Sequence, residues 1–203
     1  MIAAALAALA LAGADEPPAP ATPDEIVAYR ESGAWVRDTR AANARALAAL
    51  RRRLDEPRPL LVLDVDDTAL SSYGCLLAAG FERAGTNCGA AGDMPAIGST
   101  LRLFRFARRN GVSVVFLTGR AATMRAVTEA NLRAAGYTGR WRLIMRSQDE
   151  RGLTAVRYKT RERRALTRGG RRVVVNVGDQ RSDLRGGWSV RTFKLPNPMY
   201  VIR

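Results

Sequence analysis

Histidine does not occur in this 203-residue chain, and lysine and cysteine occur twice each. The absence of histidine excludes Ser-His-Asp and Cys-His catalysis, phosphohistidine chemistry, and zinc or iron sites with histidine ligands. Any chemistry must therefore rely on carboxylates, lysine, arginine and hydroxyl groups, together with a hard metal ion.

The charge is strongly unbalanced, with 33 basic and 19 acidic residues and a net charge of +14. The dominance of arginine and alanine has an alternative origin in a GC-rich coding bias. As a functional signal, the charge favours anionic ligands. The basic residues are scattered and are not interleaved with aromatic residues, so we expect no dedicated nucleic-acid partner.

The first 23 residues have the composition of an export segment. The apolar run 2–12 is too short to span a bilayer, and Ala12-Gly13-Ala14 fits a cleavage site. We therefore predict a signal peptide over residues 1–14, a proline-rich linker over 15–23, no stable membrane anchor, and a periplasmic or secreted protein. The alternative is an alanine-rich core helix.

The two cysteines, Cys75 and Cys88, lie close together in the sequence. In an oxidising compartment they form a short disulfide loop; the alternative is a pair of unrelated buried thiols.

Helices and strands alternate through most of the chain. Residues 24–56 begin with a helix start and continue with helical spacing, which predicts one or two helices packed on the core. Residues 57–203 form the main domain, with strands predicted at 60–63, 112–117, 141–145, 172–177 and 190–195 and helices at 99–110, 121–135 and 161–167. This pattern indicates an α/β fold, a doubly wound (Rossmann-like) parallel sheet.

Polar residues follow three of these strands, in Asp64-Val65-Asp66, Thr118-Gly119-Arg120 and Gly178-Asp179. In doubly wound folds the carboxyl ends of the strands gather on one edge, where ligands bind. We therefore expect these three groups to form one site.

The carboxylates of Asp64 and Asp66 are two residues apart, so on a regular strand they point to the same side. They repel each other unless one is protonated or both share a cation. Ligation by carboxylate oxygens suits Mg²⁺, and Asp179 and Asp183 offer further ligands. The alternatives for the first motif alone are a solvated turn or a structural cation site.

A carboxylate nucleophile, a hydroxyl, a lysine and Mg²⁺ together are suited to phosphoryl transfer through an aspartyl-phosphate. The metal, the lysine and backbone N–H groups neutralise the charge on the transferred group.

The segments LDVDDT, FLTGR, a single YK and VGDQRSDL, in this order, resemble the four motifs of haloacid dehalogenase (HAD) superfamily phosphatases. The closing KLPNPMY is similar to the tail of class C and plant-type (subfamily IIIB) acid phosphatases. The resemblance covers residues 60–200 and implies a HAD-like fold with a small cap inserted after the first strand, at about residues 70–97.

By this resemblance Asp64 is the nucleophile, and Asp66 is the general acid and base whose carbonyl also binds Mg²⁺. Lys159 neutralises the phosphoenzyme, Asp179 is a metal ligand, and Asp183 is either a weaker ligand or an outer partner. A general acid at position 66 favours phosphate esters over halides, because a halide leaves without a proton.

The substrate contacts implied by the resemblance are Thr118, the Gly119 amide and Thr68. Arg120 either touches substrate or forms a salt bridge. Tyr73, in the cap, either stacks on the leaving group or packs in the core. Asp67 stands where the family commonly has Glu.

The function predicted is an exported, Mg²⁺-dependent acid phosphatase acting on small phosphomonoesters, with nucleoside monophosphates as one candidate class. The alternatives are a catalytically weak binding or storage protein with the same fold, and a basic nucleic-acid-binding protein.

Overall fold

The structure is a computed structural model that describes residues 21–82 and 86–202. The predicted signal peptide and residues 15–20 of the predicted linker lie outside the described residues.

Five strands form one parallel sheet, which confirms the predicted fold class. They are β1 (Pro59–Leu63), β2 (Ser113–Ala121), β3 (Arg142–Arg146), β4 (Arg172–Gly178) and β5 (Arg191–Lys194), in the order β3-β2-β1-β4-β5. In register, Leu61 of β1 lies opposite Val114 of β2 and Val175 of β4. Two valines and a leucine at the sheet centre reflect burial on both faces.

Successive residues of β1 face two separate hydrophobic clusters. Leu61 and Leu63 belong to the larger one, and Leu60 and Val62 to the smaller one with Tyr158 and Leu166. This alternation is the period of two expected of a strand, and it requires helices on both faces of the sheet.

Eight α-helices are described. They are α1 (Pro23–Glu31), α2 (Ala34–Arg51), α3 (Tyr73–Ala78), α4 (Cys88–Ala91), α5 (Gly98–Arg109), α6 (Arg125–Ala134), α7 (Ala155–Leu166) and α8 (Arg181–Leu184). The start predicted for α7, at residue 161, is wrong by six residues. Thr154 caps this helix by accepting from the Arg157 N–H at 3.3 Å, so Lys159 lies on a helix rather than in a loop.

The N-terminal segment forms two helices, with Gly33 (φ +70°) between them. A capping box of Thr22 and Glu25 begins α1, and Ile26 is buried. Helix α2 packs against α5 and β5. Asn43 of α2 donates through Nδ2 to Ser99 Oγ and Thr100 Oγ1, at 2.9 and 3.0 Å.

Between β1 and α5 lies an insertion that contains α3 and α4. It leaves and re-enters the core through two adjacent segments, where Ser71 N donates to Pro95 O and Ile97 N donates to Ala69 O, both at 2.9 Å. We call this paired segment the neck. A disulfide between Cys75 and Cys88, with Cα atoms 5.7 Å apart, links α3 to α4 and confirms the predicted bond.

None of the helices formed by residues 21–82 and 86–202 combines the length and the apolar character needed to cross a membrane.

The strand order fixes where a ligand binds. The chain runs from β1 outward to β2 and β3 on one side, and then returns to β4 and β5 on the other. The order therefore reverses between β1 and β4, and a crevice opens at their carboxyl ends.

Candidate active site

A cavity of about 390 Å³ lies at this reversal point. Four of the predicted residues line it. They are Asp64, which follows β1; Thr118, which lies in β2; Lys159, which lies on α7; and Asp179, which follows β4. Cys88 and Gly89 of α4 line the opposite side. The structure thus brings the motifs predicted from the sequence to one edge of the sheet, with the insertion above them.

Three buried carboxylates meet at the centre of this cavity. One oxygen from each of Asp64, Asp179 and Asp183 lies within 4.8 Å of the other two. Lys159, which is also buried, donates from Nζ to Oδ1 of Asp64 and Oδ1 of Asp183. Three carboxylates against one ammonium leave an excess of negative charge away from water.

The pKa values follow from this crowding. Burial raises the pKa of Asp64 well above its usual range, against the opposing effect of Lys159, while Asp183 and Asp179 raise it further. Burial and then Asp183 raise the pKa of Asp179 to about 7. Burial tends to lower the pKa of Lys159, but Asp183 and Asp64 outweigh it and the net shift is upward. Lys159 therefore holds its proton strongly, and the cluster is short of positive charge.

Asp179 is held from both sides. Its Oδ2 accepts from Gln180 Nε2 at 2.6 Å and from Asn197 Nδ2 at 2.7 Å, and its Oδ1 accepts from Thr68 Oγ1 at 3.2 Å. Asp183 is fixed by the start of α8, where its Oδ2 accepts from the Gln180 N–H at 2.9 Å. These contacts orient both carboxylates before any ligand binds.

Glycine is required at position 178 because the Asp183 carboxylate packs against its backbone. A Cβ there would overlap the Asp183 side chain. The Gly-Asp pair that ends β4 therefore lets the chain place two carboxylates on one side of the strand end.

Asp66 has a different partner. Arg120 binds it with two nitrogens, Nη2 to Oδ1 at 2.7 Å and Nε to Oδ2 at 3.0 Å. Arg120 also donates to Thr128 Oγ1 at 3.1 Å. Of the two roles left open for Arg120, the structure shows the salt bridge, which positions the Asp66 carboxylate at the cavity wall.

Asp64 and Asp66 both line the cavity, and in the described part of the chain each carboxylate has its own basic partner, Lys159 and Arg120 respectively. Strand β1 ends at Leu63, and Val65 O accepts from the N–H groups of Ala69 and Leu70 in a tight turn. The Asp66 side chain stays 34% exposed, whereas Asp64 is buried.

The other predicted substrate contacts separate into two groups. Thr118 and Gly119 line the cavity, and Gly119 has open space around it. Thr68 does not line the cavity, and its hydroxyl donates to Asp179. Tyr73 also lies outside the lining; its ring packs near Phe81 and under the Arg30 guanidinium, 4.1 Å from the ring centre. The structure therefore favours the packing role for Tyr73.

Sequence reasoning missed several residues of the site. Asn197 and Tyr200 come from the closing segment, to which no role was given; the Tyr200 hydroxyl donates to Asp67 Oδ2 at 2.7 Å. Asp67 also accepts from the Ser72 N–H at 2.9 Å, which supports a structural role beside the site. Arg146, at the end of β3, lines the cavity with its guanidinium over the Tyr158 ring.

The donor set fits a hard divalent cation. The ligand atoms are carboxylate oxygens, they are buried and close together, and their negative charge exceeds that of Lys159. Mg²⁺ and similar ions prefer such oxygen ligands. Asp64, Asp179 and Asp183 are the residues that would hold the ion.

Comparison with known proteins agrees with this geometry. The family model described as HAD superfamily, subfamily IIIB (acid phosphatase) matches residues 5–203. Acid phosphatase 1 of Solanum lycopersicum is 41% identical over 159 residues, which cover 73% of this chain and 61% of that protein. Vegetative storage protein 1 of Arabidopsis thaliana is 33% identical over 148 residues, which cover 70% of this chain and 54% of that protein. The chain thus spans less than two thirds of these relatives.

The fold is also found in a solved structure. The class C acid phosphatase from Bacillus anthracis superposes with a TM-score of 0.65 over 88% of this chain and 86% of that one, at 17% identity. At this identity the likeness concerns the fold. With the family model matching nearly the whole sequence, the chain belongs to the HAD superfamily, subfamily IIIB (acid phosphatase).

Proposed function

We propose that this protein is an exported, Mg²⁺-dependent phosphomonoesterase that hydrolyses small phosphate esters through an aspartyl-phosphate on Asp64. The observation that carries the proposal is the cluster of Asp64, Asp179, Asp183 and Lys159, buried yet open to a cavity at the sheet's reversal point. A carboxylate there has a fixed orientation and a cation beside it, as a nucleophile requires.

Asp64 acts first. Lys159 binds its Oδ1, which favours the ionised carboxylate against the effect of burial and leaves Oδ2 to attack phosphorus. The new bond joins Oδ2 to phosphorus, and the bond from phosphorus to the ester oxygen breaks. Thr118 and the Gly119 amide hold the phosphoryl oxygens from the end of β2.

Asp66 is the general acid in the first step and the general base in the second. In the first step its carboxyl group protonates the departing alkoxide; in the second it takes a proton from the water that hydrolyses the acyl phosphate, which regenerates Asp64. Its partial exposure at the cavity wall suits exchange with water, and Arg120 holds it in place between the two steps.

Asp64, Asp179 and Asp183 would hold Mg²⁺, which would supply positive charge that screens the anionic substrate from the carboxylates. Hydrogen bonds from Gln180, Asn197 and Thr68 fix the orientation of the Asp179 carboxylate, which would lower the cost of binding the ion.

The substrate class follows from the size of the site. A cavity of about 390 Å³ covered by two short helices accommodates a small phosphomonoester, and nucleoside monophosphates are one candidate class. Export is supported by the disulfide, since such bonds persist mainly in oxidising compartments.

The first experiment is Asp64→Asn, assayed for hydrolysis of p-nitrophenyl phosphate with Mg²⁺. We expect loss of activity with an unchanged circular dichroism spectrum. The matched control is Asp55→Asn, which makes the same change at an exposed position and should leave activity intact. Full activity in Asp64→Asn would refute the proposed nucleophile.

A second candidate is a storage protein with weak catalysis, since a vegetative storage protein is among the relatives. The same assay separates the two functions, because a storage protein would show little turnover in the unmodified chain. The complete set of nucleophile, acid, lysine and metal carboxylates favours the enzyme.

A further inference from the structure

A second cavity, of about 310 Å³, lies away from the active site, between α2, the neck of the insertion and the start of α5. Three arginines line it: Arg30, Arg40 and Arg102. None of the described residues that line it is acidic, and none of the three arginines forms an ion pair with an acidic residue within ranges 21–82 and 86–202. Three positive charges thus share a concave surface that no acidic side chain of residues 21–82 and 86–202 lines, and the nearby Asp67 carboxylate acts on Arg30 alone among them.

Arg30 is held rigidly in this cavity. Its guanidinium lies 3.6 Å from the centre of the Trp35 ring and 4.1 Å from that of Tyr73, and Nη2 donates to Ser71 Oγ at 2.8 Å. A guanidinium fixed in this way loses little further entropy when it binds a ligand.

The start of α5 adds backbone donors. This helix has 12 residues, and its N-cap is Ile97, whose side chain accepts no hydrogen bond. The amides of Gly98 and Ser99 find no acceptor among the described residues. Uncapped amides at a helix N-terminus favour an anion.

Two hydroxyl groups complete the cavity. Thr39 of α2 is 1% exposed and lines it, yet its Oγ1 has no hydrogen-bond partner among residues 21–82 and 86–202. The Ser99 hydroxyl accepts from Asn43 Nδ2 at 2.9 Å, so its own proton is free for a ligand, with no acceptor in the described part of the chain. A buried hydroxyl without a partner is costly, and a ligand oxygen would satisfy it.

We propose that this cavity is a binding site for a tetrahedral oxyanion, either inorganic phosphate or the phosphate group of a larger solute. Arginine side chains, helix amides and hydroxyls are the donors that bind phosphate in proteins. A ligand there contacts α1, α2, α5 and both segments of the neck, and so joins the N-terminal helices to the base of the insertion. The proposal does not depend on phosphate ester hydrolysis.

The test uses the full chain after EDTA treatment and titrates it with inorganic phosphate by calorimetry and by thermal unfolding. Without a divalent ion the active site presents three carboxylates against one ammonium and repels phosphate. We expect saturable binding of one phosphate per chain and a rise in Tm. Both should be the same in Asp64→Asn, so that a failure of this proposal can be distinguished from a failure of the proposed enzyme function.

Two variants locate the site. Arg102→Gln and Thr39→Val should each weaken phosphate binding about tenfold, the usual effect of losing a hydrogen bond to a charged group. Arg109→Gln is the matched control, since it removes the same charge from the exposed far end of α5. Circular dichroism checks the fold of each variant.

No saturable binding, or equal weakening by Arg109→Gln, would overturn the proposal in favour of diffuse attraction to a basic surface. A parallel titration with a sugar phosphate identifies the source. If the sugar phosphate binds more tightly than inorganic phosphate, the ligand is a phosphate group on a larger solute. If it binds equally or more weakly, the ligand is the free ion. Either result supports the site.

Discussion

Removal of the Cys75–Cys88 disulfide should weaken both the fold and the catalysis. The bond spans a sequence separation of 13 residues, for which the chain-entropy relation gives about 3 kcal/mol of stabilisation. In a domain of this size, 1 kcal/mol corresponds to about 2–4 °C in Tm, so the double variant Cys75→Ser/Cys88→Ser should melt about 6–12 °C lower.

The effect on catalysis follows from the residue beside Cys88. Gly89 packs so closely on Arg120 that a Cβ there would lie 2.7 Å from Arg120 Cζ. Arg120 in turn holds Asp66. Without the disulfide, α4 loses its covalent tie to α3, and displacement of Asp66 by about 1 Å is enough to lower kcat about 10²-fold.

The assay combines thermal unfolding by circular dichroism with p-nitrophenyl phosphate hydrolysis, each with and without dithiothreitol. The reductant should lower the Tm of the unmodified chain to that of the double variant and should leave the variant unchanged. An unchanged Tm in the double variant would refute the estimate, and a shift of the variant by dithiothreitol would show that the reductant acts elsewhere.

Three further predictions concern the site. Arg120→Gln should lower kcat about 10²-fold with little change in KM, since Asp66 loses its orienting partner while the phosphate contacts remain; steady-state kinetics measure both. Asn197→Ala should weaken Mg²⁺ binding about 10–100-fold, because Asp179 loses an orienting hydrogen bond; a Mg²⁺ titration of activity measures this. Mg²⁺ at about 100 times its Kd should stabilise the EDTA-treated chain by about 2.7 kcal/mol, or about 5–10 °C in Tm, by calorimetric unfolding.

Each has a control. Arg125→Gln alters an exposed ion pair on α6 and should leave kcat unchanged, and Asn110→Ala changes an exposed asparagine and should leave Mg²⁺ affinity unchanged. A Tm that does not respond to Mg²⁺ would contradict the assignment of the carboxylate cluster as a metal site. If Arg120→Gln raised KM alone, the guanidinium would be a substrate contact instead.

The sequence was sufficient for the features that local pattern determines. Apolar runs that alternate with helical segments specified the parallel sheet, because strands buried on both faces need such runs. The polar residues after β1, β2 and β4 specified the edge that carries the site, because parallel strands all end on the same side. The isolated Lys159 was identified by its motif, although its helix begins earlier than the local pattern suggested.

Only the tertiary structure decided which groups meet. Asp64 and Asp66 line the same cavity, yet Lys159 binds one and Arg120 the other. Arg120 lies 54 positions from Asp66, and Lys159 lies 95 positions from Asp64, so no local sequence pattern includes both members of either pair. The same holds for Asn197 on Asp179, since its role exists only when the chain's last segment returns to the end of β4. Local sequence sets the direction of each strand and the chemistry at its end, whereas distances between side chains from separate elements are set by how the elements pack.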